Sequence, residues 1–178
     1  SKSAGRLLNL INDILMLSKL AAGSVEEELE VVNLAEIAKE SVEMLSMGAS
    51  KQEVELSYEG VNEAYVKLGK ELAQELLYNL IENAIRYNRC DGKVKVQVLS
   101  DKEVTLCVED TGIGIPKDQL DRVFERFYRV DKSRSKQLGG TGLGLAIVKH
   151  ICMITNGEIS LASEENVGTT IRVSWRCN

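Results

Sequence analysis

The sequence predicts an α+β fold: a two-layer α/β sandwich, a mixed sheet covered on one face by helices, with a bundle helix at the N-terminus. Strand-like runs alternate with amphipathic helical stretches, the pattern of a sheet packed under helices. The first helical stretch stands apart from the rest behind a polar break. The 178 residues, 44% hydrophobic and 28% charged, amount to one ordinary domain with an appendage, which excludes disorder, collagen-like repeats and a coiled-coil rod.

From Arg6 to Ala22 the residues Leu7, Leu8, Leu10, Ile11, Ile14, Leu15, Leu17 and Leu20 recur at helical spacing over a wide apolar face. Gly23, Ser24 and the acidic run Glu26 to Glu28 end it, so the helix has little of its own domain to pack on and calls for partner helices. Asn33 is a cap candidate for a second helix through Leu34, Ile37, Ala38, Val42 and Leu45. Strands follow at Val54–Tyr58 and Ala64–Leu68, then a long helix from Glu71 to Tyr87. Val94–Leu99 and Val104–Glu109 flank a short polar turn and read as a hairpin. A short helix at Gln119–Phe127, a polar stretch at Asp131–Gly140, a helix from Leu143 to Thr155 and strands at Glu158–Ser163 and Thr169–Trp175 complete the chain.

Composition narrows the chemistry. A net charge of −5 argues against a general nucleic-acid surface, so an anionic ligand must be caught locally. Cys90, Cys107, Cys152 and Cys177 form no C-x-x-C pair and have a single histidine beside them, which reads as reduced, mostly buried thiols rather than zinc. No apolar run approaches the ~20 residues that span a bilayer. The chain starts at Ser1 without Met, as a piece of something larger would.

Four local features can carry chemistry. Asn79 and Asn83 lie four residues apart on one helix face, with Arg86 and Tyr87 a turn later. Asparagine competes for backbone bonds inside helices, and its amide oxygen suits Mg²⁺; loop capping explains the pair equally well. Asp110-Thr-Gly-Ile-Gly-Ile-Pro116 ends a strand with a carboxylate able to accept from an exocyclic amine, and Gly112 and Gly114 let backbone approach a flat ring; an ordinary turn explains it too. Gly139 to Leu145 puts glycine N–H groups at a helix start, a phosphate cradle that is neither a Walker loop nor a dinucleotide fingerprint; a flexible glycine hinge before the helix explains it too. Between residues 121 and 136 six cations face three carboxylates, and Arg129 to Lys136 read as a lid whose cations reach phosphates. His150, the single histidine, sits in an apolar helix and reads as a packed or partly exposed helix residue.

Taken together in this order, the features resemble the catalytic and ATP-binding domain of sensor histidine kinases, in the superfamily shared with gyrase, Hsp90 and MutL. Asn79–Asn88 (NLIENAIRYN) is similar to the N box, Asp110–Pro116 (DTGIGIP) to the first glycine box and Phe124–Ser133 (FERFYRVDKS) to the F box. Gly139–Lys149 (GGTGLGLAIVK) is similar to the second glycine box and Gly168–Thr170 (GTT) to the last. Residues 3–23 resemble the second helix of the dimerisation and phosphotransfer hairpin. That divides the chain into a partial hairpin at 1–23 and a catalytic domain at 24–178.

The resemblance implies that Asp110 binds the adenine amino group, with Thr169 helping through water and Tyr87 against the ring. It implies that Asn83 and Asn79 hold Mg²⁺, and that Arg86 and Arg129 contact the phosphates as the catalytic cations. Gly112, Gly114, Ile115, Tyr128, Gly140, Thr141, Gly142, Leu143 and Gly144 complete the implied ATP site. Asn79 stands where ATPase relatives carry a glutamate general base, which favours a kinase. Glu82 points about 100° away from Asn83 on the helix and is not assigned as a base. The acceptor histidine of the family lies on a hairpin helix absent from this chain, so the expected behaviour is ATP binding without self-phosphorylation. Lys70 replaces an aspartate that usually opens the N-box helix, which removes the expected N-cap there; Asn88 replaces the usual Ser/Thr after the tyrosine, a departure expected to change little. The implied partners are the histidine-bearing hairpin and a response regulator, within a cytoplasmic domain of a homodimeric membrane sensor; the fragment itself is expected to be monomeric. The alternatives are a degenerate nucleotide-binding interaction module and a serine kinase of the anti-sigma type, whose members lack the helix at Arg6–Ala22.

Overall fold

The structure, a computed structural model, describes residues 2–22, 29–126, 128 and 142–177. The helices are α1 (Lys2–Ala21), α2 (Leu34–Lys51), α3 (Lys70–Arg86) and α4 (Gly144–Ile154). The strands are β1 (Val31–Asn33), β2 (Val54–Gly60), β3 (Tyr65–Lys67), β4 (Gly92–Ser100), β5 (Glu103–Asp110), β6 (Glu158–Glu164) and β7 (Gly168–Arg176). Five strands form one sheet in the order β2-β4-β5-β7-β6, with β2 parallel to β4 and the other neighbours antiparallel. The sheet is therefore mixed, as expected. β1 and β3 make a separate antiparallel pair.

Period-two alternation sorts the faces of the sheet. The register sets Val98 opposite Leu106, Val96 opposite Val108, Leu106 opposite Val173 and Val104 opposite Trp175, and all are buried. This apolar face lies under the layer built by α2, α3 and α4. On the opposite face Lys95 stands 3.8 Å from both Glu59 and Glu109. Asp110 shares the parity of Val104, Leu106 and Val108, so the strand delivers its carboxylate to the helix-covered side at the sheet's end.

Several expectations shift. α1 does find footing on its own domain: its C-terminal half packs on α4, burying Met16, Leu17 and Leu20, while Leu7, Leu8, Ile11, Ile14 and Leu15 remain exposed. Asn33 stands at the N-cap position of α2 but makes no capping bond. The β1–β3 pair brings residues 62–64 alongside, and the Asn33 amide donates to the Asn62 carbonyl and accepts from the Ala64 N–H instead. α3 begins at Lys70 behind Gly69, whose φ of 82° and lack of a side-chain bond leave the start to backbone: Leu68 and Gly69 both donate to the Glu30 carbonyl. The short helix expected from Gln119 is a 3-10 helix at Lys117–Arg122, closed by three-residue bonds such as Gln119 N–H to the Pro116 carbonyl. The thiols divide evenly, with Cys107 and Cys152 buried and Cys90 and Cys177 exposed. No helix of the described residues is long and apolar enough to cross a membrane.

Candidate functional site

One face of α3 builds the wall of a cavity of about 290 Å³, using Glu75, Tyr78, Asn79, Glu82, Asn83 and Arg86. These positions follow the three-and-four spacing of neighbours on a helix surface. Asn79 is 7% exposed, and its Nδ2 donates to the Glu75 carbonyl at 2.8 Å and to Glu75 Oε2 at 3.3 Å. Its Oδ1 faces α4, 3.1 Å from where a Cβ on Gly144 would stand. The Asn79 oxygen and the amide-rich first turn of α4 therefore converge, a setting that favours an anion and its counter-cation. Burial and the nearby Asp13 hold the Glu75 carboxyl above its usual range. Arg86 Nη2 lies 3.1 Å from Glu82 Oε1.

At the far end, Asp110 Oδ1 accepts the N–H of Gly112 at 2.9 Å and that of Thr169 at 3.2 Å. Burial outweighs these two donors and pushes the carboxyl up to about 6. Tyr87, which ends α3, supplies its carbonyl to the N–H of Ile113 at 3.0 Å. The turn lies so close that a Cβ on Gly112 would come within 2.3 Å of that same Tyr87 oxygen. Gly114 adopts a φ of 70°, with the Glu164 carbonyl 2.1 Å from its Cβ position, so both glycines are required by close approach. Ser163 Oγ holds the next residue through the Ile115 N–H and shares a hydrogen bond with Thr169 Oγ1 at 2.7 Å.

Of the residues singled out in the sequence, Asn79, Asn83, Arg86, Tyr87, Asp110, Gly114, Ile115, Tyr128, Gly142, Gly144 and Thr169 line this one cavity. Gly112 stands behind the wall against Tyr87, and the Leu143 side chain is fully buried in the core. Arg129, Gly140, Thr141 and the lid at Arg129–Lys136 lie outside the described residues. His150 is half-buried on α4.

The wall also holds residues that the sequence motifs do not mark. Glu82 lines the cavity after all, paired with Arg86. Glu75 and Tyr78 complete the α3 stripe, and α1 adds Asn9, Asn12 and Asp13, polar residues three and four apart on that helix. That spacing was the available signal. Asn88 makes local bonds: its Oδ1 accepts the Arg89 N–H at 2.9 Å and its Nδ2 donates to the Lys93 carbonyl at 3.0 Å.

A carboxylate beside a glycine turn thus stands at one end of the cavity, and the Asn79 amide facing a helix N-terminus at the other. The chain belongs to the family of histidine kinase-, DNA gyrase B- and HSP90-like ATPases, which matches residues 69–178. The sensor protein kinase WalK of Staphylococcus saprophyticus is 35% identical over 175 residues, covering 97% of this chain and 28% of that protein. The sensor-like histidine kinase SenX3 of Mycolicibacterium smegmatis is 37% identical over 171 residues, covering 95% of this chain and 44% of that protein. The chain thus spans less than half the length of these curated relatives. Among solved structures, the mycobacterial sensor histidine kinase MprB superposes with a TM-score of 0.73 at 27% identity, over 83% of this chain and 97% of that one. Full-length ShkA, solved in complex with AMPPNP, superposes with a TM-score of 0.80 at 25% identity, over 97% of this chain and 36% of that one.

Proposed function

We propose that the chain is the ATP-binding catalytic part of a two-component sensor protein-histidine kinase, which passes the γ-phosphoryl group of ATP to a histidine on a separate hairpin helix for onward transfer to a response-regulator aspartate. The observation that carries this reading is the convergence of Asp110, the Asn79–Asn83 pair and the N-terminus of α4 on one cavity. Asp110 accepts the adenine amino group while its Oδ1 is fixed by two backbone donors. Tyr87 lies against the base, and the turn at Gly114 and Ile115 closes over it. Arg86, with Arg129, neutralises charge on the phosphates and orients the γ-phosphoryl group; Gly142 and Gly144 offer backbone N–H groups. Phosphoryl transfer is largely positioning and charge neutralisation, which this set supplies.

The donor set fits Mg²⁺: two neutral amide oxygens on one helix face, Asn79 oriented by Glu75, leave room for phosphate and water ligands. Bound there, the ion would draw charge from the bridging phosphate oxygens. Residues 1–23 belong to the hairpin and 24–178 to the catalytic domain, and the exposed leucines and isoleucines of α1 are the face that would meet the rest of the hairpin.

The test is to mix this protein, labelled ATP and a separately made hairpin bearing the acceptor histidine. Transfer giving an acid-labile phosphate on that histidine supports the reading. Binding without transfer points to an interaction module, and acid-stable phosphoserine on an added protein points to a serine kinase.

A further inference from the structure

We propose that Arg89 is a positioning residue for the base-binding end of the cavity, an inference that rests on the reading of Asp110 as the adenine acceptor. Arg89 follows α3 on the connection to β4. Its Nη2 donates to the Gly112 carbonyl at 3.3 Å and, more closely, to the Asn166 carbonyl. One guanidinium therefore bridges the glycine turn after β5 and the turn between β6 and β7.

Those two segments are the ones that aim Asp110. The Gly112 N–H and the Thr169 N–H both donate to Asp110 Oδ1, so the carboxylate's direction depends on the spacing between the glycine turn and the start of β7. Asn166 lies three residues before Thr169, and its N–H donates to the Ile113 carbonyl at 2.7 Å. Arg89 thus pulls on both sides of the same junction, and charge-assisted bonds to carbonyls are the stronger kind. The root of the arm is fixed as well, by the Asn88 Oδ1 that accepts the Arg89 N–H. On the other flank the Tyr87 carbonyl blocks the turn, 2.3 Å from the Gly112 Cβ position. Arg89 itself is exposed and outside the cavity wall, so it acts through Gly112 and Asn166 and touches no nucleotide.

The experiment compares wild type, Arg89→Met and Arg89→Lys by calorimetric titration with Mg-ATP and with the triphosphate of purine riboside, which lacks the 6-amino group. Wild type is expected to prefer ATP by about tenfold, the scale of one hydrogen bond to a charged group. Arg89→Met should weaken ATP binding by roughly five- to tenfold while leaving the purine riboside nucleotide within about twofold, and Arg89→Lys should recover much of the loss. An Arg89→Met protein that keeps the wild-type preference, even with a lowered melting temperature, overturns the proposal, because Arg89 would then serve stability alone. If wild type shows no preference, the Asp110 reading fails, and Arg89 is decided by amide exchange. Faster exchange at Gly112 and Ile113 in Arg89→Met, with α3 unchanged, upholds its hold on the turn, and unchanged exchange there refutes it.

Discussion

Asp110 and Thr169 stand opposite each other on the antiparallel pair β5–β7, and the Thr169 N–H donates to Asp110 Oδ1 at 3.2 Å. The pairing leaves a half-buried carboxylate with an orientation but reduced solvation, and its pKa rises from 3.8 to about 6. Between those values the folded chain binds the proton more readily than the unfolded one, so this group's contribution to stability falls as pH climbs through the window and stays low above it. In the proposed site nucleotide binding would run the other way, because the ionised carboxylate is the stronger acceptor for the adenine amine.

The first prediction follows directly. ATP affinity, measured by titration, should be about tenfold weaker at pH 5 than at pH 7.5, the drop expected for a binding-competent form that is lost one unit below its pKa. Asp110→Asn keeps an oxygen for the two backbone donors but turns N–H toward the adenine amine. It should melt higher than wild type at pH 7.5, bind ATP at least tenfold more weakly, and show a flattened pH profile. A wild-type profile no steeper than that of the variant would remove Asp110 from the site.

The second prediction concerns α1. Leu20 is 2% exposed and Leu8 is 59% exposed on the same helix. Leu20→Ala should cost about 2–5 kcal/mol in denaturant unfolding, whereas Leu8→Ala should stay within about 0.5 kcal/mol. Lys19 and Glu71 join α1 to α3 at 2.9 Å, but both are solvated, and Lys19→Ala should cost less than about 1 kcal/mol. Equal effects at Leu20 and Leu8 would mean that α1 does not dock on α4 in solution.

The third uses the single tryptophan as a reporter. Trp175 is buried, and its indole N–H donates to Thr155 Oγ1 at 3.1 Å, while that hydroxyl donates to the Ile151 carbonyl at 2.7 Å. Thr155→Val strands a buried N–H and should lower stability by about 1–3 kcal/mol with a shift in tryptophan emission, and ATP affinity should be unchanged.

The fold was legible where periodicity was strong. Val94–Leu99 and Val104–Glu109 were placed as a hairpin because alternation and a polar turn agree, and the order of boxes brought Asp110, Asn79 and Gly144 to one cavity. What was not legible depended on chain segments distant in sequence. Asn33 looked like a cap until the loop at Asn62–Ala64 took its amide. The footing of α1 on α4 could not be read from α1 alone, since Met16, Leu17 and Leu20 differ from Leu7 and Leu8 only in where the partner lies. The stripe from Glu75 to Glu82 follows helical spacing, but spacing alone does not tell a cavity-lining carboxylate from a solvated one.

Gly144 gives the sharpest separation of stability from function. It is the first residue of α4, and alanine there would set its Cβ 3.1 Å from Asn79 Oδ1, closer than that contact comfortably allows. The Asn79 amide must yield, yet its other end is held by the Glu75 carbonyl and carboxylate, so the shift moves the oxygen away from α4. Alanine is a better helix former than glycine by up to about 1 kcal/mol, which offsets the strain. Gly144→Ala should therefore melt close to wild type while binding Mg-ATP roughly tenfold more weakly, the scale of outer-shell changes at metal sites. Binding without Mg²⁺ should change far less. In an Asn79→Ala background the Gly144→Ala change should have little further effect, since the displaced oxygen is already gone. Additive losses in that double variant would show that Gly144 acts through its own backbone on the phosphates and not through the Asn79 oxygen.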